Sequence, residues 1–330
     1  MILRTVYIAL EVAVALACCL GNLLVMWAVW MDRSLRQPTF CFVVSLAVAD
    51  FLVGVVAVPL AILAEEGVPS FSLCLFISCA LLVLTQSSVL SLLAIAVDRY
   101  LRVRIPLRYK IIATQRRSWI AVALCWFFAC LLGFAPLLGW PSPVKNPNST
   151  SYRFLDVMDM SFMVYFNFFG CILAPLLVMM FLYAHIFRNI KRHLRENVAG
   201  SQESCVYYLK ERNLAQSLAL VLTLFAICWL PLHILNCMLY FGYKKVPLWA
   251  FYVGILLSHI NSALNPIVYA FKIRKFQRAY LLIWRRYFLF RSEEADRGLQ
   301  CEQSADNLGS SSLPSGRGQV GRAERAGVCE

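Results

Sequence analysis

Charge is scarce in this sequence. Asp, Glu, Lys and Arg make up 15% of its 330 residues, against about 25% in an ordinary soluble domain. Acid is the scarcer sign, with 18 Asp and Glu against 31 Lys and Arg. A soluble core cannot absorb the 60% of residues that are hydrophobic, so the excess faces lipid. A soluble enzyme, a disulfide scaffold and a disordered regulator are therefore excluded. The apolar stretches also lack alternation, which excludes an outer-membrane barrel. No internal repeat and no second domain are visible. On such a chain the net charge of +13 speaks first of topology rather than of nucleic acid.

What is present is a series of long apolar runs. A span of the hydrocarbon layer takes about 20 mostly apolar residues. Stretches of that kind run approximately over Val6–Trp30, Phe40–Leu63, Leu73–Val97, Trp119–Trp140, Phe162–Phe187, Leu214–Phe241 and Leu248–Phe271. A basic amphipathic stretch, Lys272–Phe290, follows them. The sequence thus predicts an all-α membrane protein, a seven-transmembrane helix bundle with a short amphipathic helix after the seventh span. This domain covers Met1–Phe290. Arg291–Glu330, rich in Ser, Gly and Arg, reads as a disordered cytoplasmic tail.

Basic residues crowd the first, third and fifth connections: Arg33 and Arg36; then Arg99 to Arg117; then Arg188 to Arg212. The opposite side holds only Arg4, Lys145, Arg153, Lys244 and Lys245. The odd connections and the tail are accordingly expected in the cytoplasm and the N-terminus outside. Few residues precede the first span, so that span is expected to act as its own insertion signal. Asn148-Ser149-Thr150 is a glycosylation sequon on the expected outer side.

Polar groups inside spans are costly and point to function. Asn22, Asp50, Ser88, Asn261 and Asn265 all fall at mid-span or slightly inward. A buried carboxylate ringed by hydroxyl and amide oxygens suits a small cation such as sodium, or a purely structural polar network. Asp98-Arg99-Tyr100 ends the third span and Glu211 begins the sixth. Arg99 can pair with both acids, or simply snorkel to the interface. Pro231 in Cys228-Trp229-Leu230-Pro231, and Pro266 in Asn265-Pro266-Ile267-Val268-Tyr269, free backbone groups and make flexion points.

In this order, on the third, sixth and seventh spans, those motifs resemble the rhodopsin-like (class A) G-protein-coupled receptors. Trp126, Pro175, Tyr183 and Phe225 fit as well. His259 stands where an opsin carries its retinal lysine, and Leu81 where amine receptors carry an aspartate. Within the class the chain is most similar to the adenosine receptors. The similarity is carried by Leu84-Thr85-Gln86-Ser87-Ser88, Met163-Val164-Tyr165-Phe166-Asn167-Phe168-Phe169, Trp229-Leu230-Pro231-Leu232-His233-Ile234-Leu235-Asn236-Cys237 and Ser258-His259-Ile260-Asn261-Ser262.

The resemblance implies a site for adenosine. Asn236 would bond the adenine and Phe154 would stack on it. Leu232 and Ile255 would enclose it, with Met163 nearby. Thr85, Ser258 and His259 would hold the ribose, with Glu11 orienting His259, while His233 and Asn167 add polar contacts. It also implies an allosteric sodium ion on Asp50, Ser88, Asn261 and Asn265, and a heterotrimeric G protein as partner. Asp98, Arg99, Tyr100, Glu211, Trp229, Pro231, Asn265, Pro266, Tyr269 and Tyr183 would carry activation. The expected protein is a multi-pass plasma-membrane receptor in contact with lipid, without enzymatic activity, cofactor or nucleic-acid partner. The short third inner loop and the Arg99–Arg104 run resemble subtypes that couple to the inhibitory G protein and lower cAMP. Rival readings are a divergent purine or orphan receptor, and a seven-span transporter. The transporter reading predicts inverted repeats or a continuous polar path, and neither is visible.

Two features depart from the family. Adenosine receptors bridge a second-outer-loop cysteine to the top of the third span. Cys74 is present, but Pro141–Met160 contains none of the 13 cysteines. Alignment on Phe154 puts Tyr152 at the partner position. Leu155 stands where the family usually has a glutamate. A looser outer loop, an unpaired Cys74 that labels with a thiol reagent where the bundle admits it, and weaker adenosine binding are the expectations.

Overall fold

The computed structural model describes residues 2–32, 35, 37–140, 150–196, 202–243 and 246–287. Among these, seven helices are long and apolar enough to cross a membrane. They are α1 (Ile2–Met31), α2 (Pro38–Glu66), α3 (Phe71–Arg104), α4 (Gln115–Gly133), α5 (Phe162–Arg195), α6 (Gln202–Tyr240) and α7 (Leu248–Lys272). The amphipathic α8 (Arg274–Tyr287) follows. The boundary at Phe290, the tail and the sequon at Asn148 lie outside the described residues.

Local chemistry sets several helix ends. Ser70 Oγ accepts from the Leu73 N–H at the start of α3, and Thr114 Oγ1 accepts from the Arg117 N–H at the start of α4. Pro38 opens α2, where its missing N–H costs nothing. The fourth span is shorter than the apolar run predicts. Its helix stops at Gly133, and Ala135–Gly139 forms a separate turn. Pro136 is the cause, because a proline ring clashes with the preceding turn and interrupts its hydrogen bonds. The sixth helix is longer than predicted and starts at Gln202. Glu211 therefore lies more than two turns inside it, because the helix continues beyond the apolar stretch into polar sequence.

Two stretches wind as π-helix, Val53–Ala57 in α2 and Phe162–Leu173 in α5. Each ends within two residues of a proline, Pro59 and Pro175. Widening the turn accommodates the ring and the lost donor without breaking the helix.

The third helix is the axis of the bundle and packs on α2, α4 and α5. Of its most apolar stretch 67% is buried, as in α2, against 22% in α1 and α4. Gly133 lets α4 approach α3 closely: a Cβ there would stand 2.6 Å from the Val83 backbone nitrogen. On α8, Phe276, Ala279 and Ile283 form one buried face, the spacing expected of a surface helix. Phe276 stacks on Tyr269 with centroids 5.3 Å apart, which ties α8 to the end of α7.

Candidate functional site

Three groups of polar side chains cross the bundle. The outermost lies among α1, α3, α5, α6 and α7. Glu11 is fully buried, and its Oε2 lies 2.7 Å from Nδ1 of His259 across the α1–α7 interface. The pairing expected of these two residues is present. A carboxylate on one imidazole nitrogen fixes the ring and leaves the other nitrogen to address a ligand. On the α5 side, Gln86 Nε2 donates to Asn167 Oδ1 at 3.0 Å. His233 lies flat on Phe168, centroids 4.8 Å apart, and faces Trp229, which in turn stacks on Phe225. Both ring nitrogens of His233 and the indole N–H of Trp229 are buried without hydrogen-bond partners.

Asn236 is buried one turn above His233. Leu232 packs so close to α7 that a Cβ at Gly254 would stand 3.3 Å from its Cα, beside Ile255. Met163 is buried in an outer cluster against which Phe154 packs. Thr85 and Ser258 spend their hydroxyl protons on their own helices, donating to Leu81 O and Ile255 O. Leu155 is 45% exposed.

The described part of the outer loop, residues 150–158, is tied to the α2–α3 connection by hydrogen bonds rather than by a disulfide. Val68 and Tyr152 exchange both backbone hydrogen bonds at 2.8 Å. Cys74 is a free thiol, as expected, but it is fully buried rather than open to reagents.

The second group lies at mid-bundle. Asp50 Oδ2 accepts from Asn265 Nδ2 at 2.6 Å. Asn22 Nδ2 donates to Cys18 O and Ser262 O, joining α1 to α7. Ser88 is buried and donates to Leu84 O. Asp50 Oδ1, Asn22 Oδ1 and Asn261 Oδ1 are buried oxygens without partners. Hard cations take oxygen donors of this kind, a carboxylate with amide and hydroxyl oxygens, so the chemistry of these residues fits sodium.

The third group lies at the end of the bundle opposite the first. Arg99 is 1% exposed and pairs with Asp98 at 3.1 Å and Glu211 at 3.3 Å, which ties α3 to α6. Sequence reading missed three contributors. Arg102 Nε meets the other Glu211 oxygen at 2.9 Å. Thr39 Oγ1 donates to Asp98 Oδ2 at 2.7 Å and also accepts from Arg99. Tyr109 OH donates to Asp98 Oδ1 at 2.8 Å. Burial, and then the charge of Asp98, push the Tyr109 phenol above its ordinary value, so it remains a donor. Arg102 follows Arg99 by one helical turn, a spacing that could have flagged it. Nothing local marks Thr39. Nearby, Tyr100 meets His185 edge-on, while Tyr183 and Tyr269 are buried and the Tyr269 hydroxyl has no partner.

A family model described as "7 transmembrane receptor (rhodopsin family)" matches residues 21–269. The adenosine receptor A3 of sheep (Ovis aries) is 50% identical over 282 residues, covering 84% of this chain and 89% of the relative. That of the dog (Canis lupus familiaris) is 48% identical over 295 residues, covering 88% and 94%. The bovine protein (Bos taurus) is 49% identical over 282 residues, covering 84% and 89%. The chain belongs to the adenosine receptor family, among the rhodopsin-like seven-span receptors. It is a multi-pass membrane receptor and not an enzyme. The receptor's matched region takes in the second and third groups whole. It leaves out Glu11, the α1 partner of His259.

Proposed function

We propose that this receptor binds extracellular adenosine at its outer site and activates a heterotrimeric G protein of the inhibitory class, lowering cAMP. The observation that carries the reading is the buried Glu11–His259 pair at 2.7 Å. It presents an oriented imidazole to a ribose from the same helix as Ser258. Asn236 supplies an amide that gives and takes hydrogen bonds, as the edge of a purine requires. Phe154 supplies an aromatic face and Leu232, Ile255 and Met163 apolar walls. Thr85, His233 and Asn167 add polar groups on the α3, α6 and α5 sides.

The excess of basic residues on the odd connections supports an extracellular N-terminus in the plasma membrane. Agonist binding shifts an equilibrium between closed and open forms. Trp229 lies between pocket and core, stacked with His233 above and Phe225 below. Pro231 and Pro266 provide the flexion. Opening parts Arg99 from Glu211, α6 moves outward, and Tyr183 and Tyr269 can repack. The cavity so formed, beside the basic second inner loop, receives the G protein. The test is the binding of a radiolabelled adenosine analogue to membranes of transfected cells, with adenosine lowering forskolin-raised cAMP. Absence of both would overturn the reading.

A second reading rests on Leu155, which cannot accept from the exocyclic amine of adenine. On it, the receptor recognises a different or less amine-dependent purine. An analogue without that amine, binding as well as adenosine, would favour it.

Sodium, when bound at Asp50, Ser88, Asn261 and Asn265, supplies the positive charge that a buried carboxylate lacks. If the ion prefers the closed form, linkage requires that raising sodium weaken agonist binding. Asp50→Asn is expected to abolish that dependence, read as the shift of agonist affinity between sodium and a bulky organic cation. An equal shift in parent and variant would remove the ion from this site.

A further inference from the structure

We propose that Tyr152 positions the outer loop over the binding site, by packing and a backbone bridge, where the family uses a covalent cross-link. Its backbone N–H donates to Val68 O and its carbonyl accepts from the Val68 N–H, both at 2.8 Å. The bridge joins the loop to the α2–α3 connection, the segment that leads into Cys74. The Tyr152 ring is 8% exposed and meets Phe71 edge-on, centroids 5.7 Å apart and planes at 88°. It shares one buried cluster with Val68, Cys74, Val157 and Met163.

Neighbouring residues are fitted to this anchor. Gly67 has φ +100°, a backbone conformation that favours glycine, and a Cβ there would stand 3.2 Å from Ser151 Cβ. One extended residue, Arg153, separates Tyr152 from Phe154. The turn behind is closed by the Arg153 N–H to Asp156 Oδ2 at 2.9 Å and the Met158 N–H to Phe154 O at 3.0 Å. Immobilising Tyr152 therefore immobilises Phe154, which packs on the same cluster. An aromatic side chain has the surface to do this, about 150–250 Å² when buried.

Cys74 serves as a reporter, because it is fully buried beneath this anchor. On intact cells a membrane-impermeant maleimide should leave Cys74 of the parent unlabelled. Tyr152→Ala should become labelled, and the label should vanish in Tyr152→Ala/Cys74→Ser. Tyr152→Phe keeps the ring and should stay unlabelled. In a second arm, which rests on the adenosine reading, a radiolabelled adenosine analogue should dissociate about tenfold faster from Tyr152→Ala, with Tyr152→Phe close to the parent. A Cys74 that stays unlabelled in Tyr152→Ala at normal surface expression would overturn the proposal. So would unchanged dissociation from that variant when the parent binds the analogue. A parent that binds no analogue, with the labelling pattern intact, would remove the adenosine reading and leave the anchor standing. If Tyr152→Ala does not reach the surface, Phe71→Ala replaces it with the same expected labelling, because it removes the ring's edge contact and spares the backbone bridge.

Discussion

Asn236→Ala is expected to weaken adenosine binding tenfold or more. The side chain is buried one turn above His233 on α6. Truncation leaves the polar edge of a purine without a partner at a buried position. An unmet polar group costs about 1–3 kcal/mol, and about 1.4 kcal/mol is tenfold in affinity. The variant should fold, because no inter-helix hydrogen bond is removed from the closed clusters at mid-bundle or at the cytoplasmic end. Saturation binding normalised to surface expression is the measurement. Unchanged affinity would take Asn236 out of the site and with it the purine-edge argument.

Glu211→Ala is expected to raise signalling without ligand and to lower the stability of the closed form. The carboxylate holds two arginines at once, Arg99 at 3.3 Å and Arg102 at 2.9 Å. Arg99 is almost wholly buried. Removing the partner of a buried charge costs about 3–5 kcal/mol when nothing else compensates it, and the cost is smaller here because Asp98 still faces Arg99 at 3.1 Å. Arg102 is partly exposed, so its share is smaller. Only the fraction of this energy that distinguishes closed from open moves the equilibrium. A tenth of the full cost would be invisible, but about 1.4 kcal/mol would raise the open population about tenfold from a small value. Basal suppression of cAMP should therefore increase several-fold, with a lower melting temperature in detergent. Glu211→Gln, which keeps hydrogen-bonding atoms, should show a smaller rise. Basal signalling equal to that of the parent in both variants would show that the closed contact does not set the equilibrium.

The cytoplasmic contact also shows how far the sequence can be read. The Asp98-Arg99-Tyr100 run and a distant Glu211 were enough to predict the three-residue contact. Arg102, Thr39 and Tyr109 were not foreseen, although they complete the hydrogen bonding of both acids. At the outer site Glu11 and His259 stand out as ionisable groups in apolar runs, and their pairing is what the resemblance to the adenosine receptors implies. Nothing in the sequence marks Gln86 as a partner of Asn167, yet its amide donates to Asn167 Oδ1. At the loop, the missing cysteine suggested slackness, and the structure has an aromatic anchor instead.

The number of spans and the existence of α8 were determined by the sequence alone, for a physical reason. A lipid core demands about 20 continuous apolar residues per crossing, and a surface helix demands a two-faced pattern, as at Phe276, Ala279 and Ile283. The rotation of each spanning helix about its axis is different. Lipid is as apolar as the core, so the buried and lipid-facing sides of a span carry much the same residues, and no strong periodicity marks which side turns inward. What depends on that rotation was decided only in the tertiary structure. The orphaned oxygens of Asn22, Asp50 and Asn261 share the mid-bundle group, Glu211 bridges two arginines, and Tyr152 settles on Phe71. Each joins residues far apart in the chain, and only the packing of one helix against another brings them together.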